Sequence, residues 1–113
     1  MPELPFELEV EEVYGLREQG EDFLLLDVRE ADEVATAKIE GSVHIPLNDL
    51  PAAVQTGKFA PGKDKHIIVH CHHGMRSARA TSFLRAAGYG TAQNMAGGIE
   101  EWSARVDPGV PRY

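Results

Sequence analysis

Two short runs of mainly apolar residues, at residues 23–28 (FLLLDV) and 66–70 (HIIVH), set the strongest constraint on how this chain can fold. Runs of this kind are typical of strands that are buried on both faces, as the strands of parallel sheets are. Helix-like patterns lie between and after these runs, and strands that alternate with helices pair in parallel. The sequence therefore predicts an α/β fold in which helices cover both faces of an open parallel sheet.

The other elements can be placed from their apolar periodicity and from the glycines and prolines that end them. Further strands are expected at residues 6–10, 42–45 and 91–95. Helices are expected at residues 11–19, 31–37, 50–55, 76–87 and 99–106, and an irregular tail at residues 107–113. No repeat or change of composition divides the sequence, so we expect a single domain over residues 1–113.

The negative net charge of the chain argues against nucleic acid as a binding partner. The formal net charge is −7 at pH 7, whereas binding to nucleic acid requires basic patches that contact phosphate. No apolar stretch is long enough to span a bilayer. The acidic segment at residues 1–12 lacks the basic and apolar parts of a secretory signal. We therefore expect a cytoplasmic protein that binds neither nucleic acid nor membrane.

The only cysteine, Cys71, follows the second apolar run and is expected at the carboxyl edge of the sheet, where open α/β folds bind ligands. The segment CHHGMRS (71–77) then leads into a helix, whose first N–H groups have no partner within the helix. Gly74 allows the loop to bend, and Arg76 adds a cation. Such N–H groups and cations favour a thiolate and can hold an anion. These surroundings indicate a reactive cysteine rather than a structural one.

Three segments of the chain resemble the rhodanese family. The loop CHHGMRS is similar to the family's active-site loop, C-x-x-G-x-R followed by Ser or Thr. The segment at residues 94–102 (NMAGGIEEW) resembles the downstream signature, a Gly-Gly pair followed by Trp. The segment at residues 24–46 resembles the upstream signature, with matches at Asp27, Val28, Arg29, Glu33, Ile39, Gly41, Ile45 and Pro46. In order and spacing, the three segments place residues 6–103 in this family.

The resemblance implies a rhodanese-like three-layer fold with a mainly parallel, five-stranded sheet. It implies a sulfurtransferase in which Cys71 attacks the outer sulfur of thiosulfate or of a persulfide donor. The resulting persulfide would pass to cyanide, to a thiol or to a partner protein of a sulfur relay. No metal or organic cofactor is implied. The transferred sulfur and its donor would be bound by the loop residues His72, His73, Gly74, Met75 and Arg76.

Two positions leave the preferred donor and acceptor open, one that departs from the family pattern and one at which the family varies. The family's usual G-H-I-P-G is AKIEG here, so Lys38 replaces a common histidine. His44 stands where the family usually has Asn or His.

Other functions fit the sequence less well. Phosphatases and arsenate reductases also place a cysteine in an N–H cradle with an arginine, but they need five residues between the two. Four residues separate Cys71 from Arg76. A thioredoxin-like enzyme would need a second cysteine at position 74, which is glycine. A domain that only binds partners would not need both Cys71 and Arg76.

Several polar and aromatic residues are better explained by structure than by chemistry. His70, His72 and His73 flank Cys71, but neighbours on a strand and a tight loop point in different directions, which argues against a metal site. Arg29 is expected in a structural ion pair, with Glu33 one helical turn away as its candidate partner. Trp102 is expected to anchor the final helix in the core.

Overall fold

The computed structural model describes residues 4–113, and each predicted element is found there within two residues of its expected bounds. The strands are β1 (Glu7–Leu8), β2 (Leu24–Asp27), β3 (Val43–His44), β4 (Ile67–His70) and β5 (Ala92–Met95). The helices are α1 (Val10–Glu18), α2 (Ala31–Thr36), α3 (Leu50–Gln55), α4 (Met75–Ala86) and α5 (Gly98–Arg105). The sequence did not predict a short 3-10 turn at Leu47–Asp49, which leads into α3.

The five strands of the described region form one parallel sheet in the order β1-β5-β4-β2-β3. The middle strand is β4, and its Val69 is in register with Leu26 of β2 and with Asn94 of β5. All strands therefore end at the same edge of the sheet, and the residue after β4 emerges at the centre of that edge. The predicted parallel α/β fold is confirmed.

Hydrophobic cores lie on both faces of the sheet, because alternate residues of each strand point to opposite sides. Leu25 and Ile68 belong to the core beneath α1 and α5, which also contains Trp102. Leu26 and Val69 belong to the core beneath α3 and α4. Trp102 is 2% exposed, so its predicted role as a core anchor is confirmed. Among residues 4–113, no helix has both the length and the apolar character needed to cross a membrane.

A buried ion pair closes the end of β2. The Arg29 guanidinium donates to both carboxylate oxygens of Asp27, with Nη2 to Oδ2 at 2.7 Å and Nε to Oδ1 at 3.0 Å. Burial opposes ionisation of Asp27, but the hydrogen bonds from Arg29 and the charges of His70 and Arg29 outweigh it and lower the pKa of this carboxyl. The expected pairing of Arg29 with Glu33 was therefore wrong, since Arg29 reaches only the backbone carbonyl of Glu33, at 3.3 Å.

Candidate active site

Cys71 is the first residue after β4, and its side chain is only 1% exposed. Two backbone N–H groups point at its Sγ, from Gly74 at 3.1 Å and from Ser77 at 3.4 Å. The hydroxyl oxygen of Ser77 lies 3.3 Å from the same sulfur. Burial alone favours the neutral thiol, whereas donors aimed at the sulfur stabilise a thiolate. The loop thus supplies a polar environment to a sulfur that is otherwise buried.

Further backbone donors lie in the same loop and at the start of α4. Within residues 4–113, the N–H groups of His73, Met75 and Arg76 have no hydrogen-bond acceptor. The helix dipole adds partial positive charge at the same end of α4. The loop therefore has backbone N–H groups that are available to donate hydrogen bonds to an atom or anion bound next to Cys71.

The conformation of the loop depends on Gly74. This residue has φ +110°, which side chains rarely tolerate, and a Cβ there would lie 3.2 Å from the backbone N of Gly97. The Gly74 carbonyl accepts a hydrogen bond from Asn94 Nδ2 at 3.2 Å. The loop is thus fixed to the end of β5 and to the glycine pair that follows it.

The start of α5 fixes the loop from a second side. The N–H groups of Ile99 and Glu100 donate to the carbonyls of Cys71 and His72, at 2.9 and 3.1 Å. This close approach requires a glycine at position 98, because a Cβ there would overlap both carbonyl groups. The downstream Gly-Gly segment therefore serves as a support for the cysteine loop.

Arg76 does not extend free into solvent. Its Nη1 and Nη2 donate to the two carboxylate oxygens of Glu33 on α2, at 2.5 and 2.9 Å. The Arg76 side chain is 35% exposed and the Glu33 side chain 17%. Hydrogen bonds from Arg76 lower the pKa of Glu33 to about 2, although burial acts in the opposite direction. The pair is therefore ionised throughout the neutral range.

The segment after α5 also reaches this region. The Tyr113 hydroxyl donates to Glu33 Oε2 at 2.9 Å and accepts a hydrogen bond from Arg29 Nη1 at 2.9 Å. The Tyr113 ring stacks on His72 with 4.0 Å between centroids, and His72 stacks on His73 at 3.9 Å. Tyr113 thus links the buried Asp27–Arg29 pair to the cysteine loop.

The third histidine near the cysteine, His70, lies apart from this stack. It is fully buried, and its Nε2 lies 3.3 Å from the hydroxyl of Ser42 and 3.9 Å from Asp27. Burial lowers the pKa of His70 to about 4, despite the nearby charge of Asp27. The side chain is therefore neutral at physiological pH. Among residues 4–113, no three His, Cys, Asp or Glu side chains come close enough together to hold a metal ion.

The family model for the rhodanese-like domain, a sequence model of that protein family, matches residues 9–105 of this chain. The chain belongs to the rhodanese-like family. The predicted family and the predicted three-layer fold are both confirmed. The loop of four residues between Cys71 and Arg76 lies within the matched region.

Relatives of this rhodanese-like chain include named sulfurtransferases. The human thiosulfate:glutathione sulfurtransferase is 34% identical over 88 residues, which cover 69% of this chain and 76% of the relative. The solved structure of the human single-domain sulfurtransferase TSTD1 superposes with a TM-score of 0.78 at 30% identity, covering 90% of this chain and 98% of that one. The maize adenylyltransferase and sulfurtransferase MOCS3-2 is 39% identical over 102 residues, and this chain spans only 21% of its length. Sulfurtransferase is thus part of the name of all three of these relatives.

The predicted loop residues of this rhodanese-like domain differ in whether they contact the sulfur of Cys71. Gly74 contacts Sγ through its N–H group, whereas the Met75 side chain is 77% exposed. Ser77 also contacts the sulfur, and it lies one residue beyond the predicted set. Its place after Arg76, where the family has Ser or Thr, was the signal that could have identified it. Nothing in the sequence of the tail pointed to Tyr113.

Proposed function

We propose that this chain transfers sulfane sulfur through a persulfide on Cys71, taking the sulfur from thiosulfate or a persulfide donor and giving it to a thiol or to cyanide. The observation that carries the proposal is the set of N–H groups around Sγ. Two of them point at the sulfur, from Gly74 and Ser77. Others in the same turn are free of acceptors within the described residues.

In the first step, the Cys71 thiolate attacks the outer sulfur of thiosulfate. A new S–S bond forms at Cys71, the S–S bond of the donor breaks, and sulfite leaves with the electron pair. Charge is conserved, because a thiolate and a dianion become a persulfide anion and sulfite. The N–H groups of Met75 and Arg76, which have no acceptor within the described residues, would stabilise the negative charge of the transferred sulfur.

In the second step, a nucleophile attacks the outer sulfur of the persulfide. Cyanide yields thiocyanate, and a thiolate yields a new persulfide, with the Cys71 thiolate as leaving group in both cases. The donors that hold Sγ of Cys71, including the Ser77 hydroxyl, stabilise this leaving thiolate. The same contacts therefore serve both halves of the cycle.

The name of one relative supports a particular pair of substrates. The human thiosulfate:glutathione sulfurtransferase resembles this chain over most of both sequences. We infer that thiosulfate is an accessible donor and that a low-molecular-weight thiol is an accessible acceptor. A carrier protein that exchanges persulfide with Cys71 would be a further partner. A reducing compartment such as the cytoplasm would keep Cys71 available as a thiol.

Intact-mass analysis after treatment with thiosulfate tests the proposal. The wild-type chain should gain the mass of one sulfur atom, and cyanide should remove it with release of thiocyanate. Cys71→Ser should show neither change, while Ser103→Ala, a substitution at a buried residue of α5, should behave as wild type. Full sulfur transfer to cyanide by Cys71→Ser would refute the mechanism.

A further inference from the structure

The carboxylate of Glu33 occupies both terminal nitrogens of the Arg76 guanidinium. The same carboxylate accepts weaker hydrogen bonds from two neutral donors, the Tyr113 hydroxyl to Oε2 at 2.9 Å and the Glu30 N–H to Oε1 at 3.0 Å. An arginine binds an oxyanion best through two parallel N–H groups. In this chain the parallel pair on Nη1 and Nη2 is already bound to a carboxylate.

Two other arginines near the site are paired as well. Arg29 is bound to Asp27, and Arg112 is bound to Glu100 at 2.7 Å on the side of the site formed by α5. These pairs sum to zero charge, in a chain whose net charge is −7. An anion approaching Cys71 therefore meets backbone dipoles but no uncompensated side-chain cation from these pairs.

We propose that Glu33 is a specificity-determining residue, which withdraws the Arg76 cation from incoming donors and so disfavours doubly charged sulfur donors relative to donors of lower charge. This inference rests on the proposed function, since it concerns donors that form the Cys71 persulfide. Thiosulfate use persists, because the N–H groups of the loop remain available, but Glu33 holds its efficiency down.

Two small donors isolate the effect of charge. Thiosulfate is a dianion, and methanethiosulfonate carries the same sulfane sulfur with one oxyanion replaced by a methyl group. With each donor the Cys71 thiolate attacks the outer sulfur and breaks the donor's S–S bond. Sulfite leaves from the first donor and methanesulfinate from the second, each with the electron pair. The ratio of kcat/KM for the two donors therefore reports how the site discriminates by charge.

Glu33→Gln should raise the thiosulfate to methanethiosulfonate ratio by about fivefold at low ionic strength, because the charge of Arg76 is then no longer neutralised by a paired carboxylate. Glutamine keeps an oxygen for the Glu30 N–H, so the start of α2 remains capped. Arg76→Gln should lower the ratio by a similar factor, since it leaves the Glu33 charge unpaired. Both effects should shrink as salt is added.

Two matched controls separate local charge from other effects. Asp32→Asn removes a negative charge from the same helix at an exposed residue that is not bound to Arg76, and Tyr113→Phe removes a hydrogen bond from Glu33 without changing its charge. Both should leave the ratio within about twofold of wild type, as expected for a screened surface charge and for a neutral contact.

The outcomes decide between the inference and its alternatives. An unchanged or lower ratio in Glu33→Gln would overturn it, as would a rise of equal size in Tyr113→Phe or Asp32→Asn. If Glu33→Gln fails to fold, as judged by its thermal melt, Arg76→Gln decides, and an unchanged or higher ratio in that variant would overturn the inference. If wild type gains no sulfur from either donor by intact mass, the proposed function fails together with this inference. If wild type gains sulfur normally but the ratio of kcat/KM is the same in wild type and in Glu33→Gln, only the role of Glu33 is refuted.

Discussion

The hydroxyl of Ser77 lies 3.3 Å from the Sγ of Cys71, and the N–H of the same serine points at the same sulfur at 3.4 Å. Ser77 is fully buried at the first turn of α4, and its carbonyl accepts a hydrogen bond from Thr81 Oγ1 at 2.7 Å. One residue thus provides a backbone donor to the sulfur and, when the sulfur is a thiolate, a side-chain donor as well. The side-chain donor can be removed by substitution while the backbone donor remains.

We predict that Ser77→Ala slows sulfur transfer to cyanide by about ten- to a hundredfold, the range expected for one hydrogen bond to a charged group. Alkylation of Cys71 by a neutral reagent at pH 7 should slow as well, because one of the contacts that stabilise the attacking sulfur is removed. Ser103→Ala, at another buried serine, is the control and should keep wild-type rates. Unchanged alkylation in Ser77→Ala would show that the backbone N–H groups suffice.

The close approach of α5 to the cysteine loop gives a prediction about stability. Gly98→Ala should lower the free energy of unfolding by more than about 2 kcal/mol, because a Cβ at position 98 overlaps the carbonyls of Cys71 and His72 and φ is +59°. Gly15→Ala in α1 is the matched control, since no atom lies within 4 Å of its Cβ position. It should be neutral or stabilising by up to about 1 kcal/mol. Urea unfolding of both variants tests the contrast, and equal effects would contradict it.

Much of this architecture was accessible from the sequence. The apolar runs at β2 and β4 predict buried parallel strands. The parallel pairing of the other strands is predicted by their alternation with helices. The position of Cys71 then follows from the topology, since the residue after a central parallel strand must emerge at the carboxyl edge. Local patterns were sufficient here because each element agrees with the global fold.

The pairing of charges was not accessible in the same way. Arg29 has two acidic residues within reach along the chain, Asp27 and Glu33, and sequence spacing favoured the wrong one. Glu33 pairs with Arg76, which lies 43 residues away, so the choice depends on how α2 packs beside the cysteine loop. Tyr113 is separated by 80 or more residues in the sequence from Glu33 and Arg29, which its hydroxyl contacts. It lies in an irregular segment, which has no apolar periodicity from which its position could be predicted. Long-range polar contacts of this kind are fixed by tertiary packing rather than by local pattern.

The buried His70 should make stability depend on pH. Its pKa is about 4 in the folded chain because of burial, whereas an exposed histidine titrates near 6.5. Between these values the unfolded chain binds a proton that the folded chain does not, so the free energy of unfolding falls as pH decreases from 6.5 to 4. The contribution is about 2–3 kcal/mol over this window. His70→Gln should flatten that part of the profile in urea unfolding, and an unaltered slope would contradict the assignment.

The width of the loop predicts selectivity against phosphate esters. Four residues separate Cys71 from Arg76, and the N–H groups of Gly74 and Ser77 converge on Sγ itself, so the cradle is fitted to a sulfur atom. A tetrahedral phosphoryl group needs donors around three equatorial oxygens, and Arg76 is already bound to Glu33. The wild-type chain should therefore show negligible turnover of aryl phosphates. Inserting one glycine between Gly74 and Met75 should widen the loop and permit measurable binding of arsenate or phosphate. Robust phosphatase activity of the wild-type chain, in a preparation where Cys71→Ser is inactive, would show that loop width does not set the reaction.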